Sequence, residues 1–263
     1  MTLQNKTALI YGAAGSLGST IATAFADAGA KVFLAGRTLS KVRKVAESIR
    51  ANGGKAEAAQ VDAMDEKSVN DFVNKVVLDA GSIDITSNAI SLDPVQNIPL
   101  VEIAVDDFTR PVNIAMRSQF ITATVACKVM MKQRSGVILT LTATPGGIGY
   151  PLTGGFAPAC SAIETFARNL ASESGKYGIR VVNIRSGGSP DSAVFKQAQE
   201  SAPEIMKPIL DQMKNDTMLK ELPLMADIAN VATFLCSPLA AKITGVTVDV
   251  TSGTTAALNY RMS

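Results

Sequence analysis

The sequence predicts a doubly wound α/β domain, a parallel sheet of about seven strands with helices on both faces. Three observations carry that expectation. Short β-branched runs alternate with segments whose apolar residues recur at helical spacing. Glycine-rich punctuation separates many of them. No Pro/Ser-rich linker, repeat period or low-complexity tract interrupts the order, so residues 1–263 read as one domain. Alternation of this kind implies right-handed crossovers and a sheet covered on both sides.

Taken in order, residues 7–11 form the first strand, and a Gly/Ala/Ser turn follows. Leu17, Ile21, Ala24, Phe25 and Ala28 then mark a helix that Gly29 stops. Residues 31–35 make the second strand, 40–51 a helix and 56–61 the third strand. Asp65 is placed to cap a helix whose inner face is Val69, Phe72, Val73, Val76 and Val77. Residues 83–86 are read as the fourth strand, 108–132 as a long helix and 137–141 as the fifth strand. A helix over 156–174 buries Phe156, Ala159, Cys160, Ile163, Phe166, Ala167 and Leu170 on one stripe. Strands at 180–184 and 247–250 complete the sheet. Between them, residues 186–225 hold four of the eleven prolines and read as an excursion over the ligand edge. Within it Ile205, Ile209, Met213 and Leu219 mark a helical stripe, read as a lid or, as the minority reading, a partner surface.

Composition narrows the function. Hydrophobic residues make up 47% and charged residues 18%, which excludes disordered and disulfide-scaffold classes. The balance of 25 basic and 23 acidic side chains argues against a nucleic-acid binder. Histidine is absent, so Ser-His-Asp and Cys-His catalysis are excluded, and no metal site is expected. Three scattered cysteines without a CxxC pair favour a reducing compartment. The opening residues show no signal-peptide pattern and no apolar run is long enough to span a bilayer, so a cytoplasmic protein is expected.

Between the first strand and first helix lie Gly12, Gly15, Ser16, Leu17 and Gly18. A strand, a glycine turn and a helix N-terminus together present backbone N–H groups and a positive dipole end to a pyrophosphate. The plain alternative is a tight strand-to-helix turn. After the second strand come Arg37 and Thr38, where an NAD site would place a carboxylate for the ribose 2′-OH. A guanidinium there offers a charge-assisted fork to a 2′-phosphate, so NADP(H) is favoured over NAD(H), against a merely solvated loop arginine.

With these marks the chain resembles the short-chain dehydrogenase/reductase family over essentially its whole length. Asp62 follows the third strand where the family's Asp meets the adenine ring. Asn88 and Ala89 stand where it writes Asn-Asn-Ala-Gly, and Asn113 falls in the long fourth-to-fifth crossover. Gly178-Ile179-Arg180-Val181 and Ile243-Thr244-Gly245 precede the last two strands. The resemblance implies an oxidoreductase acting on a small carbonyl or alcohol substrate through Ser, Tyr and Lys assisted by Asn, and a homodimer or homotetramer pairing through helices 108–132 and 156–174.

The chain departs from that pattern at the reacting end. The Ser position falls on Ala143, the Tyr position on Phe156 and the Lys position on Cys160; of the four, Asn113 alone is retained. Tyr150 lies nearby but has glycine four residues on, and no lysine occurs between Gln133 and Gly175. Thr142 and Thr144 flank the lost serine, Ile90 replaces a glycine, Ser186-Gly187 replaces Pro-Gly, and Asp191 beside Ser192 takes the usual threonine position. The family's middle glycine is Ser16, with Gly15 one place earlier. Positioned proton transfer is worth roughly 10²–10⁴ in rate, so carbonyl reduction by the family's usual route is not expected. Cys160 reads as a core residue rather than a nucleophile, because no histidine can activate it. Asp106-Asp107 and Asp65-Glu66 read as capping groups. Three functions stay open: an NADP(H) oxidoreductase with an altered acid (Tyr150, Thr142, Asp191 or water), a catalytically silent dinucleotide sensor or inactive subunit, and non-redox chemistry in the same pocket.

Overall fold

The computed structural model describes residues 2–256. Seven parallel strands form one sheet in the order β3-β2-β1-β4-β5-β6-β7. They are β1 Thr7–Tyr11, β2 Lys31–Gly36, β3 Lys55–Gln60, β4 Ile85–Asn88, β5 Gly136–Ala143, β6 Ile179–Ser186 and β7 Val246–Val250. The helices are α1 Ser16–Asp27, α2 Leu39–Ala51, α3 Glu66–Ala80, α4 Val105–Gln133, α5 Phe156–Ser174, α6 Ala193–Ser201, α7 Pro203–Asn215 and α8 Met225–Cys236. One core layer joins the sheet to α1, α2 and α8 through Ile21, Phe25, Val42, Ile49, Ile228 and Leu235. The opposite layer joins it to α3, α4 and α5 through Phe72, Val76, Ile121, Met130 and Ala167.

Most elements lie where hydrophobic pattern places them, and the exceptions have local causes. The fourth strand begins at Ile85 rather than 83, because Asp84 first ties the chain to the start of β1. Its carboxylate accepts from Thr7 N at 2.9 Å and Lys6 Nζ at 2.9 Å. It then continues through Ser87 and Asn88, since a strand buried on both faces needs only its ladder. Strands β5 and β6 likewise run past their apolar segments into Thr142, Arg185 and Ser186. Helix α4 starts before 108 and carries Pro111 inside it. Asp65 caps α3 as its position suggests, accepting from the N–H groups of Lys67 and Ser68.

The excursion contains α6 and α7, and neither has a buried residue. Ile205, Ile209 and Leu219 face solvent, so only part of the apolar stripe packs. Met213 and Phe195 lie over Gly188, where a Cβ would meet both side chains. The base of α6 reaches back to the first turn of the domain, where Ala193 N donates to Ser16 Oγ at 2.9 Å.

At the C-terminal end of β1 the chain crosses itself closely. Gly12 adopts φ +72°, and a Cβ there would lie 2.6 Å from the Ala89 carbonyl carbon. Gly12→Ala is therefore expected to cost about 1–3 kcal/mol or more, read as a lowered urea midpoint at unchanged m-value.

Candidate cofactor and active site

The strand order reverses between β1 and β4, which opens a crevice beyond their carboxyl ends. Its floor is the turn from Gly12 to Gly18. Helix α1 begins after Gly15, which supplies no side-chain cap, and its first turn carries no acid. The leading N–H groups of α1 are thus left for an anion. A Cβ on Gly18 would collide with the Gly12 carbonyl, so that glycine serves the tightness of the turn, whereas Gly15 is only at the edge of contact at 3.4 Å. Leu17 packs on the core, and Ser16 accepts the Ala193 amide, linking the turn to the excursion.

Beyond β2, Arg37 and Thr38 are exposed. Thr38 is the N-cap of α2, yet its hydroxyl makes no cap bond. Arg37 forms no ion pair with any described residue. Both groups are available to a ligand. Asp62, past β3, is exposed and accepts the Met64 amide at 2.9 Å. Asn88 is buried and already engaged: its Nδ2 donates to Thr122 Oγ1 at 3.1 Å, and its Oδ1 accepts from Ile90 N at 3.1 Å. It braces β4 against α4. Ile90 is half-buried against the α3–α5 core layer.

The reacting half looks different. Ala143 ends β5, Phe156 opens α5, and Cys160 lies one turn later with almost no exposed surface. Burial pushes the Cys160 thiol up to about 11, although a hydrogen bond with the Ala143 backbone works in the opposite direction. Ala143 and Cys160 are therefore adjacent, as their positions imply. Asn113 is exposed on α4 and makes no side-chain hydrogen bond among the described residues. Tyr150 lies beyond the short 3₁₀ turn Thr144–Gly146, 40% exposed, and its hydroxyl likewise has no hydrogen-bond partner among the described residues.

Other side chains considered for the acid are already committed. Thr142 Oγ1 donates to Glu164 Oε1 at 2.9 Å, and Thr144 Oγ1 donates to the Ser186 carbonyl. The Asp191 carboxylate accepts from Met225 N at 3.1 and 3.2 Å, holding the start of α8. Ser192 caps α6.

Sequence reading missed an ionic cluster next to these positions, buried at Glu164, partly buried at Arg185 and exposed at Asp249. The register aligns Thr142, Arg185 and Asp249 across β5, β6 and β7. Arg185 grips Glu164 of α5 bidentately, with Nη2–Oε2 at 2.6 Å and Nε–Oε1 at 3.0 Å, and reaches Asp249 at 3.0 Å. Asn183 donates to Thr142 Oγ1 at 2.8 Å and accepts from Thr140 Oγ1 at 2.8 Å. Gly147 lies over the guanidinium and Gly146 over the carboxylate; a Cβ on them would come within 2.5 Å of Arg185 Cζ and 2.7 Å of Glu164 Oε1. The signal was present in the sequence. Glu164 interrupts the apolar stripe of α5, and Arg185 ends the apolar run of β6; two charges inside buried elements require each other.

Removing one partner of such a pair strands the other charge. Arg185→Met is expected to cost about 3 kcal/mol, and adding Glu164→Leu should recover most of it, both read from urea denaturation. A single-variant cost below about 0.5 kcal/mol would place the pair among ordinary surface bridges. Cys160 should label with iodoacetamide far more slowly in the folded protein than in urea at pH 8. Because its folded pKa is raised, its contribution to stability is whole below the unfolded value of 9.0 and is lost as pH rises through about 11.

Residues 12–255 match the family model described as Enoyl-(Acyl carrier protein) reductase. The chain is 30% identical over 262 residues to the 7alpha-hydroxysteroid dehydrogenase of Escherichia coli (strain K12), covering 98% of each. It is 29% identical over 251 residues to an uncharacterized oxidoreductase, YxbG, of Bacillus subtilis (strain 168), covering 95% of this chain and 91% of that one. Among solved structures, levodione reductase superposes with a TM-score of 0.89 at 25% identity, over 97% of this chain and all of that one. Sheet order, crevice and sequence likeness agree: the chain belongs to the short-chain dehydrogenase/reductase family of oxidoreductases.

Proposed function

We propose that this protein binds NADP(H) in the crevice beyond β1, β2 and β4, and that the proton-transfer half of its site is disarmed. The observation that carries this reading is the contrast between the two halves. On one side the N-terminus of α1 is uncapped, and the side chains of Arg37 and Thr38 have no partner among the described residues. On the other, Ala143, Phe156 and Cys160 offer neither an acid nor a cation. The residues fit the dinucleotide: the turn Gly12, Gly15, Ser16, Leu17 and Gly18 would take the pyrophosphate, Arg37 the 2′-phosphate with Thr38 beside it, and Asp62 the adenine. Asn88 acts from beneath, keeping the β4 end in place. The buried Ser189 Oγ, which lacks a partner among the described residues, lies on the loop after β6 at the same sheet edge and offers a further polar contact.

When bound, the dinucleotide supplies or accepts a hydride; the chain's own residues must manage the substrate oxygen and its proton. The names of the hydroxysteroid dehydrogenase and levodione reductase relatives point to a carbonyl or alcohol as substrate class. The chain's available groups do not move that proton well, since Thr142 is held by Glu164 and the Cys160 thiol is neutral at physiological pH. That balance favours a dinucleotide-responsive sensor or an inactive subunit over an efficient reductase. A cytoplasmic homodimer or homotetramer through α4 and α5 accompanies the reading. Phe120, 59% exposed, stands 6.3 Å from Phe166 on that surface.

Fluorescence titration should show NADPH binding more tightly than NADH, and Arg37→Ala should erase a preference of about tenfold or more. An unchanged preference removes Arg37 from the 2′-phosphate site. Against a panel of ketones, aldehydes and alcohols, turnover should lie roughly 10²–10⁴ below that of relatives with an intact acid. Turnover at the relatives' level that Tyr150→Phe abolishes would assign the phenol as the acid and end the silent reading.

A further inference from the structure

A second cavity opens at the other edge of the sheet, beneath the N-terminal ends of β1, β4, β5 and β6. Its volume is about 510 Å³, in the range of small-molecule sites. Three cations line it, Lys6, Arg180 and Lys242, against one carboxylate, Asp84. That carboxylate is spent, because it accepts from Lys6 Nζ at 2.9 Å and from Thr7 N at 2.9 Å. Arg180 is partly buried and faces no carboxylate among the described residues. It donates only to two backbone carbonyls, of Ile243 and Ser237, each at 3.2 Å. Lys242 is exposed and has no side-chain partner among the described residues.

Two cations on one concave surface with no counter-charge leave an electrostatic deficit. The Ser237 carbonyl at the end of α8 offsets part of the charge on Arg180, as helix C-termini do for cations, and the Ile243 carbonyl in the loop before β7 adds to it. They carry only partial charge and do nothing for Lys242. Desolvation of Arg180 lowers its pKa, consistent with a guanidinium that lacks an anion. The apolar surface open to the cavity comes from Pro238 and Ala241, because Ile85, Val137 and Ile179 are buried beneath it; Ser135 and Thr244 add hydroxyls. Gly175 adds no bulk, and a Cβ there would meet nothing within 4 Å. The hollow thus joins a dicationic rim to a small apolar face at Pro238 and Ala241.

We propose that this cavity binds the phosphate group of a small phosphate monoester, with Arg180 and Lys242 as its donors and the ester's organic part against Pro238 and Ala241. A dianion matches the two unmatched charges. The cavity exceeds the size of phosphate alone, which leaves room for the rest of the ester. The site lies at the opposite end of the strands from the dinucleotide crevice and does not depend on the reading given above.

Inorganic phosphate is the probe, followed through the ¹H–¹⁵N amide shifts of the whole protein. Saturable shifts are expected at Gly136, Gly178, Lys242 and Thr244, and Lys242→Glu should weaken that binding by about tenfold or more. Lys242 is exposed and unbonded, so the variant should keep the wild-type melting temperature; Arg37→Ala serves as the control and should leave these shifts unchanged. Shifts confined to the turn around Gly15–Leu17 would mean that phosphate occupies only the dinucleotide crevice. That result, an affinity unaltered by Lys242→Glu, or shifts that never saturate would each overturn the proposal.

Discussion

The reversal of strand order between β1 and β4 is the constraint on which the candidate site depends. A parallel sheet covered on both faces has no side-chain surface left for a ligand except at its strand ends. There the two halves wind in opposite directions and their loops part. In this chain the parting is held open by backbone rather than side chains. Gly12 presses against the Ala89 carbonyl, and Gly18 presses against Gly12. The three chain segments around the crevice cannot approach so closely with any Cβ in the way. Asn88 then fixes the neighbouring strand end to α4 from within the core.

Against that scaffold the two halves of the site have different chemistry. The end at α1 and β2 presents uncapped amides and polar side chains without partners among the described residues, which cost little while exposed to water. The reacting side has been filled with mutually satisfied groups. Asn183, Thr142, Glu164, Arg185 and Asp249 form one chain of hydrogen bonds and ion pairs running from β6 and β5 through α5 to β7. Such a network gives little net stability compared with apolar packing, since desolvation cancels much of its attraction. It does set geometry: the bidentate fork between Arg185 and Glu164 fixes α5 relative to the sheet, and the glycines at 146 and 147 lie on it without side chains.

Much of this was open to sequence reasoning. Long amphipathic helices such as α3 and α5 announce themselves because one face must be buried, and the cap at Asp65 marks a boundary. The glycine turn was visible as punctuation after an apolar run. The strand ends were harder, because β4, β5 and β6 continue through Asn88, Thr142, Arg185 and Ser186, whose polarity is hidden by partners on other strands. Glu164 was passed over for the same reason. Its partner lies 21 residues away, and periodicity sees only the stripe that the charge interrupts. The sequence suggests Thr142 and Asp191 as free acids or donors, but in the fold each is already hydrogen-bonded, to Glu164 and to the Met225 amide, neither of them a sequence neighbour.

The hairpin of α6 and α7 has no buried residue, and its ties to the rest of the chain include Met213 and Phe195 over Gly188, the Ala193 amide held by Ser16, and Gln199 on the Pro190 carbonyl. Its separation therefore exposes little apolar surface and breaks few bonds, so it constitutes a low-energy cooperative unit distinct from the sheet. Amide protons from 193 to 215 would exchange through that opening rather than through global unfolding, and a protease would nick the native molecule there first. Changes in the sequence of this segment are correspondingly cheap for folding. The walls of the crevice can thus be reshaped by mutation while the sheet that supports them stays the same.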